Sequence, residues 1–205
     1  VKVDHTLTLL IVFTVALGMV LGHFVLPDAL AVHCGQIIQL GLYLLLFLVG
    51  LDLGRQEGML SSVRQAGLRV VLVPLAVMVG TFTVTALAGL LLPLGPKDCV
   101  AAAAGFGWYS LAPTLLAPYS LTVSATAFLS NVLHELFAIV LAPIVAQRFG
   151  YIETVALPGA AAMDTVLPVV VSATDQRMAI YSFTSGVILS LSVPLFIPAI
   201  TALPF

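Results

Sequence analysis

The sequence predicts an all-α polytopic membrane protein, a single domain over residues 1–205 with about seven hydrophobic segments, two of them interrupted or re-entrant. Three observations carry this expectation. The chain is 61% hydrophobic and only 8% charged, with a mean hydropathy of +1.19. A soluble domain carries about 25% charged residues, so this chain cannot cover itself with a water-facing surface. Runs such as Leu42–Leu48 and Val70–Val73 are continuously apolar, where a spanning β-barrel would alternate apolar and polar positions. Finally, Gly and Pro clusters cut two of the apolar segments where lipid cannot satisfy a freed backbone.

The elements follow in order. A helical span needs about 20 residues. Span one is expected over Thr6–Leu26, closed by Pro27-Asp28. It is longer than the apolar part of a signal peptide and lacks a small-residue cleavage site, so it reads as a span. Span two runs over Gln36–Leu53. The following loop, Gly54–Arg69, holds Arg55, Arg64 and Arg69, three of the seven basic residues, and is placed in the cytoplasm by the positive-inside rule. Span three is Val70–Leu92, ended by Pro93-Leu94-Gly95-Pro96. Ala101–Pro118 starts as a small-residue helix and breaks at Gly105-Phe106-Gly107. Tyr119–Gln147 is the next long segment. Val155–Val171 is interrupted by Pro158-Gly159, Asp164 and Pro168. Asp175-Gln176-Arg177 forms a polar turn, and Ala179–Leu203 is the last span.

The net charge of −2 gives no sign of a nucleic-acid partner. Cys34 and Cys99 lack metal-ligand spacing and read as small, apolar-tolerant residues, although a disulfide near the outer side stays open. No P-loop, nucleophile elbow, cysteine cluster or His-x-x-x-His pair occurs, so the sequence indicates neither an enzyme nor a metal or cofactor site. Without an ATP-binding motif, transport would be secondary or passive, unless a separate subunit supplies the energy.

The candidate site lies in three polar pieces. Gly105, Gly107, Trp108, Tyr109 and Ser110 form the first. The glycines permit close backbone approach and the aromatics can wall a cavity, although both residue types also serve helix packing and the interfacial belt. Ser130, Asn131, His134 and Glu135 form the second. Asn131 and Glu135 are one turn apart on one helix face, as are Ser130 and His134. Asp164 is the third, behind small residues and before Pro168. A carboxylate at membrane depth is expensive and is read first as functional, so Glu135 and Asp164 are the leading candidates for a substrate or proton pathway. A hydrogen-bonded helix-packing cluster is the other reading of the Ser130–Glu135 face. Asp52, beside Arg55, reads as a solvated charge.

Gly105-Phe106-Gly107-Trp108-Tyr109-Ser110-Leu111, Ala127-Phe128-Leu129-Ser130-Asn131…Glu135 and Gly159…Met163-Asp164…Leu167-Pro168 together resemble the lysine exporter LysO family. Leu46-Phe47-Leu48-Val49-Gly50 and Gly186-Val187-Ile188-Leu189-Ser190 with Val193-Pro194 are similar to that family too. The resemblance runs from about Tyr43 to the C-terminus. It implies an inner-membrane exporter of L-lysine, and of analogues such as thialysine, working by proton antiport. The family's intramembrane acidic residues would fall on Glu135 and Asp164, and the Gly105–Ser110 stretch would take the substrate's α-groups. Two departures stand out. His134 occupies a position where members commonly have Arg. Longer members also carry an N-terminal membrane portion that this chain lacks, so it is expected to be a fragment, or to work as a homo-oligomer or with a small membrane partner. The alternatives are a cation-coupled antiporter of another small solute and a non-transporting scaffold subunit.

Overall fold

The computed structural model describes residues 68–204 continuously, with isolated helical positions between Phe13 and Leu51. Apart from those positions, the first two expected spans, most of the Gly54–Arg69 loop, Cys34 and Asp52 lie outside the described residues. The backbone divides into two compact units, Val1–Leu48 and Val49–Phe205, and every site residue named above lies in the second.

Among the described residues all regular structure is helical. In order come α1 (Leu68–Gly89), α2 (Gly95–Ala103), α3 (Leu111–Leu116), α4 (Leu121–Arg148), α5 (Tyr151–Ala156), a 3-10 turn (Gly159–Met163), α6 (Leu167–Ala173) and α7 (Met178–Thr201). Three of these, α1 from Val70, α4 and α7, are long and apolar enough to cross a membrane. The two expected interruptions are present. The first separates α2 from α3, and the second puts the 3-10 turn between α5 and α6.

Helix α7 is the centre of this unit. It packs against α1, α2, α3, α5, α6 and the 3-10 turn. Its sequence explains why. Ser182, Thr184, Ser185, Gly186, Ser190 and Ser192 are all buried, and such small side chains let neighbouring backbones approach closely. Gly186 is the clearest case, because a Cβ there would come within 2.7 Å of the Met163 Cβ and 2.9 Å of the Ala160 carbonyl oxygen. Helix α4 is the opposite kind. Leu121, Phe128, Leu129, Leu136, Phe137 and Val140 are each more than half exposed, an apolar face that suits lipid contact in a spanning helix.

The helix ends have local causes. Gly95 takes φ +75 and Pro96 follows at the first turn of α2, where its missing N–H costs nothing. The Ser120 hydroxyl accepts the Val123 N–H at 3.4 Å and caps α4. The Ser124 hydroxyl donates to the Pro113 carbonyl at 2.8 Å and ties α4 back to α3.

At one end of the unit, Lys97 Nζ donates to the Leu203 carbonyl and lies 5.4 Å from the Tyr119 ring centroid. The Tyr119 hydroxyl donates to Asp98 Oδ1 at 2.8 Å. That bond, followed by desolvation and the Asp98 charge, holds the Tyr119 phenol above its ordinary value. A raised folded value means that the contribution of this contact is present at neutral pH and is lost as pH rises through it. Tyrosinate absorbance should therefore show a late-titrating phenol that moves to lower pH in Asp98→Asn; identical curves would remove Asp98 as the cause.

Candidate functional site

The two breaks meet. At the first, Phe106 adopts φ +47 and Gly107 φ +94. A left-handed phenylalanine costs roughly 1–2 kcal/mol, so something must hold it. The residue is 2% exposed, and its ring packs on Phe82 and Phe196, with centroids at 5.4 and 6.4 Å. Its carbonyl, turned out of the helix by that conformation, accepts the Ala160 N–H at 2.7 Å. Gly159, at φ +61, presses against that same Phe106 carbonyl, and a Cβ there would collide with it. A Cβ on Gly107 would sit 3.1 Å from the Pro158 carbonyl oxygen. Only glycine fits at this crossing of two interrupted helices.

Broken helices leave carbonyls and N–H groups that need partners. Asn131 supplies several of them. Its Oδ1 accepts the Gly107 N–H at 2.6 Å, and its Nδ2 donates to Ala127 at 2.7 Å and more weakly to Ala102, in the last turn of α2, at 3.4 Å. Asn131 is 3% exposed, with its acceptor and both donors engaged. Gly105 makes room for it, since a Cβ there would meet the Asn131 amide at 2.7 Å and the Ala112 Cβ at 2.6 Å. His134 does the same at the second break. Its Nε2 lies 2.7 Å from the Leu157 carbonyl oxygen, so Nε2 carries the proton and donates to the end of α5. Asn131 and His134 are thus braces for the two breaks. Asn131→Leu should cost about 3 kcal/mol, because it strands buried backbone groups. Thermal unfolding in detergent checks this; a variant as stable as the parent would show that the brace is dispensable.

The carboxylates come together beside this crossing. The 3-10 turn is itself anchored to α7 by the Ser182 hydroxyl, which donates to Ala162 at 2.7 Å. It ends at Asp164, which leaves helical conformation at φ −133, ψ −93 and is exposed. Asp164 Oδ1 accepts the Thr165 N–H at 2.6 Å. The Thr165 hydroxyl donates to Glu135 Oε1 at 2.7 Å and lies 3.3 Å from Asp164 Oδ1. Glu135 stands near the middle of α4 and is half-buried. Tyr109, 38% exposed in the link between α2 and α3, lies within electrostatic reach of both carboxylates. Trp108 beside it is half-buried and Ser110 exposed.

Residues separated by 30 positions therefore form one acidic site. Of the expected residues, the structure gathers Glu135, Asp164 and Tyr109 around it. It assigns Asn131, His134, Gly105 and Gly107 to building the crossing. The Ser130 hydroxyl turns back to its own helix, donating to Ala127 at 3.2 Å. Thr165 was not among the sequence candidates; a lone threonine carries no signal, and only its place next to Asp164 could have pointed to it. Among the described residues no three His, Cys, Asp or Glu side chains gather in metal-binding geometry.

The family described as "Lysine exporter LysO" matches residues 12–201. This chain belongs to the lysine exporter LysO family. It is also similar to the "Lysine exporter LysO" of Escherichia coli (strain K12), at 33% identity over 171 residues. That alignment covers 83% of this chain and 56% of the relative, so the chain spans little more than half of that relative's length. No solved structure matches the chain. Family membership makes this chain a multi-pass membrane protein of a transporter family, and the matched region spans all the elements that build the crossing and the acidic site.

Proposed function

We propose that this protein carries L-lysine out of the cell across the cytoplasmic membrane, in exchange for protons, through the site formed by Glu135, Asp164 and Thr165. The observation that carries this reading is the convergence of two carboxylates on one hydroxyl beside two crossed, interrupted helices. The name of the similar bacterial relative supplies the substrate.

The chemistry fits. Lysine carries two ammonium groups and one carboxylate, a net charge of about +1 at neutral pH. An ammonium group leaving water needs an opposite charge and hydrogen-bond acceptors, and a carboxylate at the site supplies both. The second carboxylate gives an exchangeable proton a place to bind, so that charge in the site is balanced whether substrate or proton occupies it. Tyr109, within electrostatic reach of both carboxylates, sits between Trp108 and Ser110 on the link from α2 to α3. An aromatic face there suits the apolar stem and the ammonium of a lysine side chain. Irregular backbone is tolerated at such a depth where it lines a substrate cavity, which is the arrangement transporters use. Thialysine, which keeps both amino groups and the carboxylate, would follow the same path. The protein would work as a homo-oligomer or with a small membrane partner.

The test is efflux of radiolabelled lysine from proteoliposomes holding the full-length protein, with and without an imposed proton gradient. Gradient-dependent efflux that unlabelled lysine competes for is expected. A flux of other solutes without lysine flux would transfer the site to a different antiporter. No flux of any cationic amino acid from folded protein would favour a scaffold role.

A further inference from the structure

We infer that the Thr165 hydroxyl is the switch that couples the two carboxylates, with Glu135 as the proton carrier and Asp164 as the substrate-binding carboxylate. This rests on the antiport reading above and divides the roles within it.

The inference comes from the kind of partner each carboxylate has. Asp164 Oδ1 accepts a backbone N–H at 2.6 Å. An amide N–H only donates, so that lone pair is committed and the oxygen is held in place. Glu135 Oε1 accepts a hydroxyl at 2.7 Å. A hydroxyl both donates and accepts, and its hydrogen rotates about the C–O bond. A proton arriving on Glu135 therefore keeps a partner. The new carboxyl O–H donates to Thr165 Oγ1, and the Thr165 hydrogen, displaced from Glu135, turns to Asp164 Oδ1, now 3.3 Å away. No proton is lost from the hydroxyl; one proton has been added to Glu135, and one hydrogen bond has moved from Glu135 to Asp164. When the proton leaves, the sequence reverses.

The consequence is a link between the two ligands. With Glu135 protonated, the hydroxyl donor occupies Asp164 and competes with a substrate ammonium for it. With Glu135 ionised, the hydroxyl returns to Glu135 and Asp164 is open to the ammonium. Proton and lysine thus occupy the site alternately, which is what antiport requires. The groups that face Thr165 are Glu135 from α4, Asp164 from its own segment and, at electrostatic reach, Tyr109 from the α2–α3 link. His134, next to Glu135 in sequence, is engaged with Leu157 instead.

Two assays on the same proteoliposomes test the division of roles. Gradient-driven efflux needs the proton step; lysine counterflow, in which labelled and unlabelled lysine exchange with no gradient, does not. Thr165→Val removes the hydroxyl and keeps the shape. The ratio of counterflow to gradient-driven flux should rise about tenfold or more in Thr165→Val and in Glu135→Gln, the scale of one hydrogen bond to a charged group. Thr165→Ser, which restores the hydroxyl, should restore the parent ratio. Asp164→Asn should lose both modes together. An unchanged ratio in folded Thr165→Val, or a failure of Thr165→Ser to restore it, would overturn the switch. Loss of counterflow in Glu135→Gln equal to that in Asp164→Asn would overturn the assignment of roles while leaving lysine transport intact. Absence of both modes in the parent protein would instead overturn the antiport reading itself.

Discussion

Asp164→Asn should reduce lysine efflux by about a hundredfold or more, since a bound lysine ammonium that covers this exposed carboxylate would lose its opposite charge, at about 3 kcal/mol. The substitution is well suited to the question. Asn keeps a carbonyl oxygen that can accept the Thr165 N–H, as Asp164 Oδ1 does at 2.6 Å. The turn after the 3-10 segment therefore keeps its main polar contact, and only the charge is lost. Asp164 is exposed beside the crossing and buries little apolar surface, so the variant should insert and unfold as the parent does. Flux is measured against unfolding temperature in the same detergent. Efflux within about twofold of the parent, on a scale where 1.36 kcal/mol is tenfold, would remove Asp164 from the pathway.

Gly159→Ala should be among the most damaging small substitutions in the chain. Two costs combine. The residue sits at φ +61, which charges any L side chain roughly 1–2 kcal/mol. Its Cβ would also collide with the Phe106 carbonyl, the acceptor of the Ala160 N–H. Relieving the collision breaks that bond and leaves polar backbone unpaired inside the unit, at about 1–3 kcal/mol more. Gly95→Ala separates the two costs. Gly95 has φ +75, yet nothing lies within 4 Å of its Cβ position, so it carries the backbone cost alone. Gly159→Ala should thus lower the unfolding temperature well beyond Gly95→Ala and abolish flux. Equal shifts in the two variants would mean that the close approach of Gly159 to Phe106 contributes nothing.

Much of this arrangement was legible in the chain because membrane depth magnifies polar signals. Gly105-Phe106-Gly107 and Pro158-Gly159 interrupt apolar runs, and both breaks are present between helices where the runs predict them. Glu135 and Asp164 stood out for the cost of a charge in lipid. What the sequence left open depends on packing between distant segments. Helical spacing put Asn131 and Glu135 on one face of α4. That face is broad, and Asn131 turns to the α2 break while Glu135 reaches Thr165. The left-handed turn at Phe106 was equally hidden, because its support is tertiary: two phenylalanine rings and the N–H of a residue 54 positions on. Gly186 read as part of a family motif; its physical role is to admit the backbone of Met163. Thr165 had no signal of its own until the fold set its hydroxyl between two carboxylates.

Phe106, Gly159, Asn131 and His134 make two broken helices into one braced crossing. That crossing fixes the segment bearing Asp164 and Thr165 against Glu135 on α4. The measurement that tests this most directly is equilibrium binding of radiolabelled lysine to the purified full-length protein, compared across the parent, Asp164→Asn and Thr165→Ser. Saturable binding in the parent and in Thr165→Ser, weakened about a hundredfold in folded Asp164→Asn, is the predicted result. Lysine bound by Asp164→Asn as tightly as by the parent would contradict the account, because the substrate would then be held elsewhere.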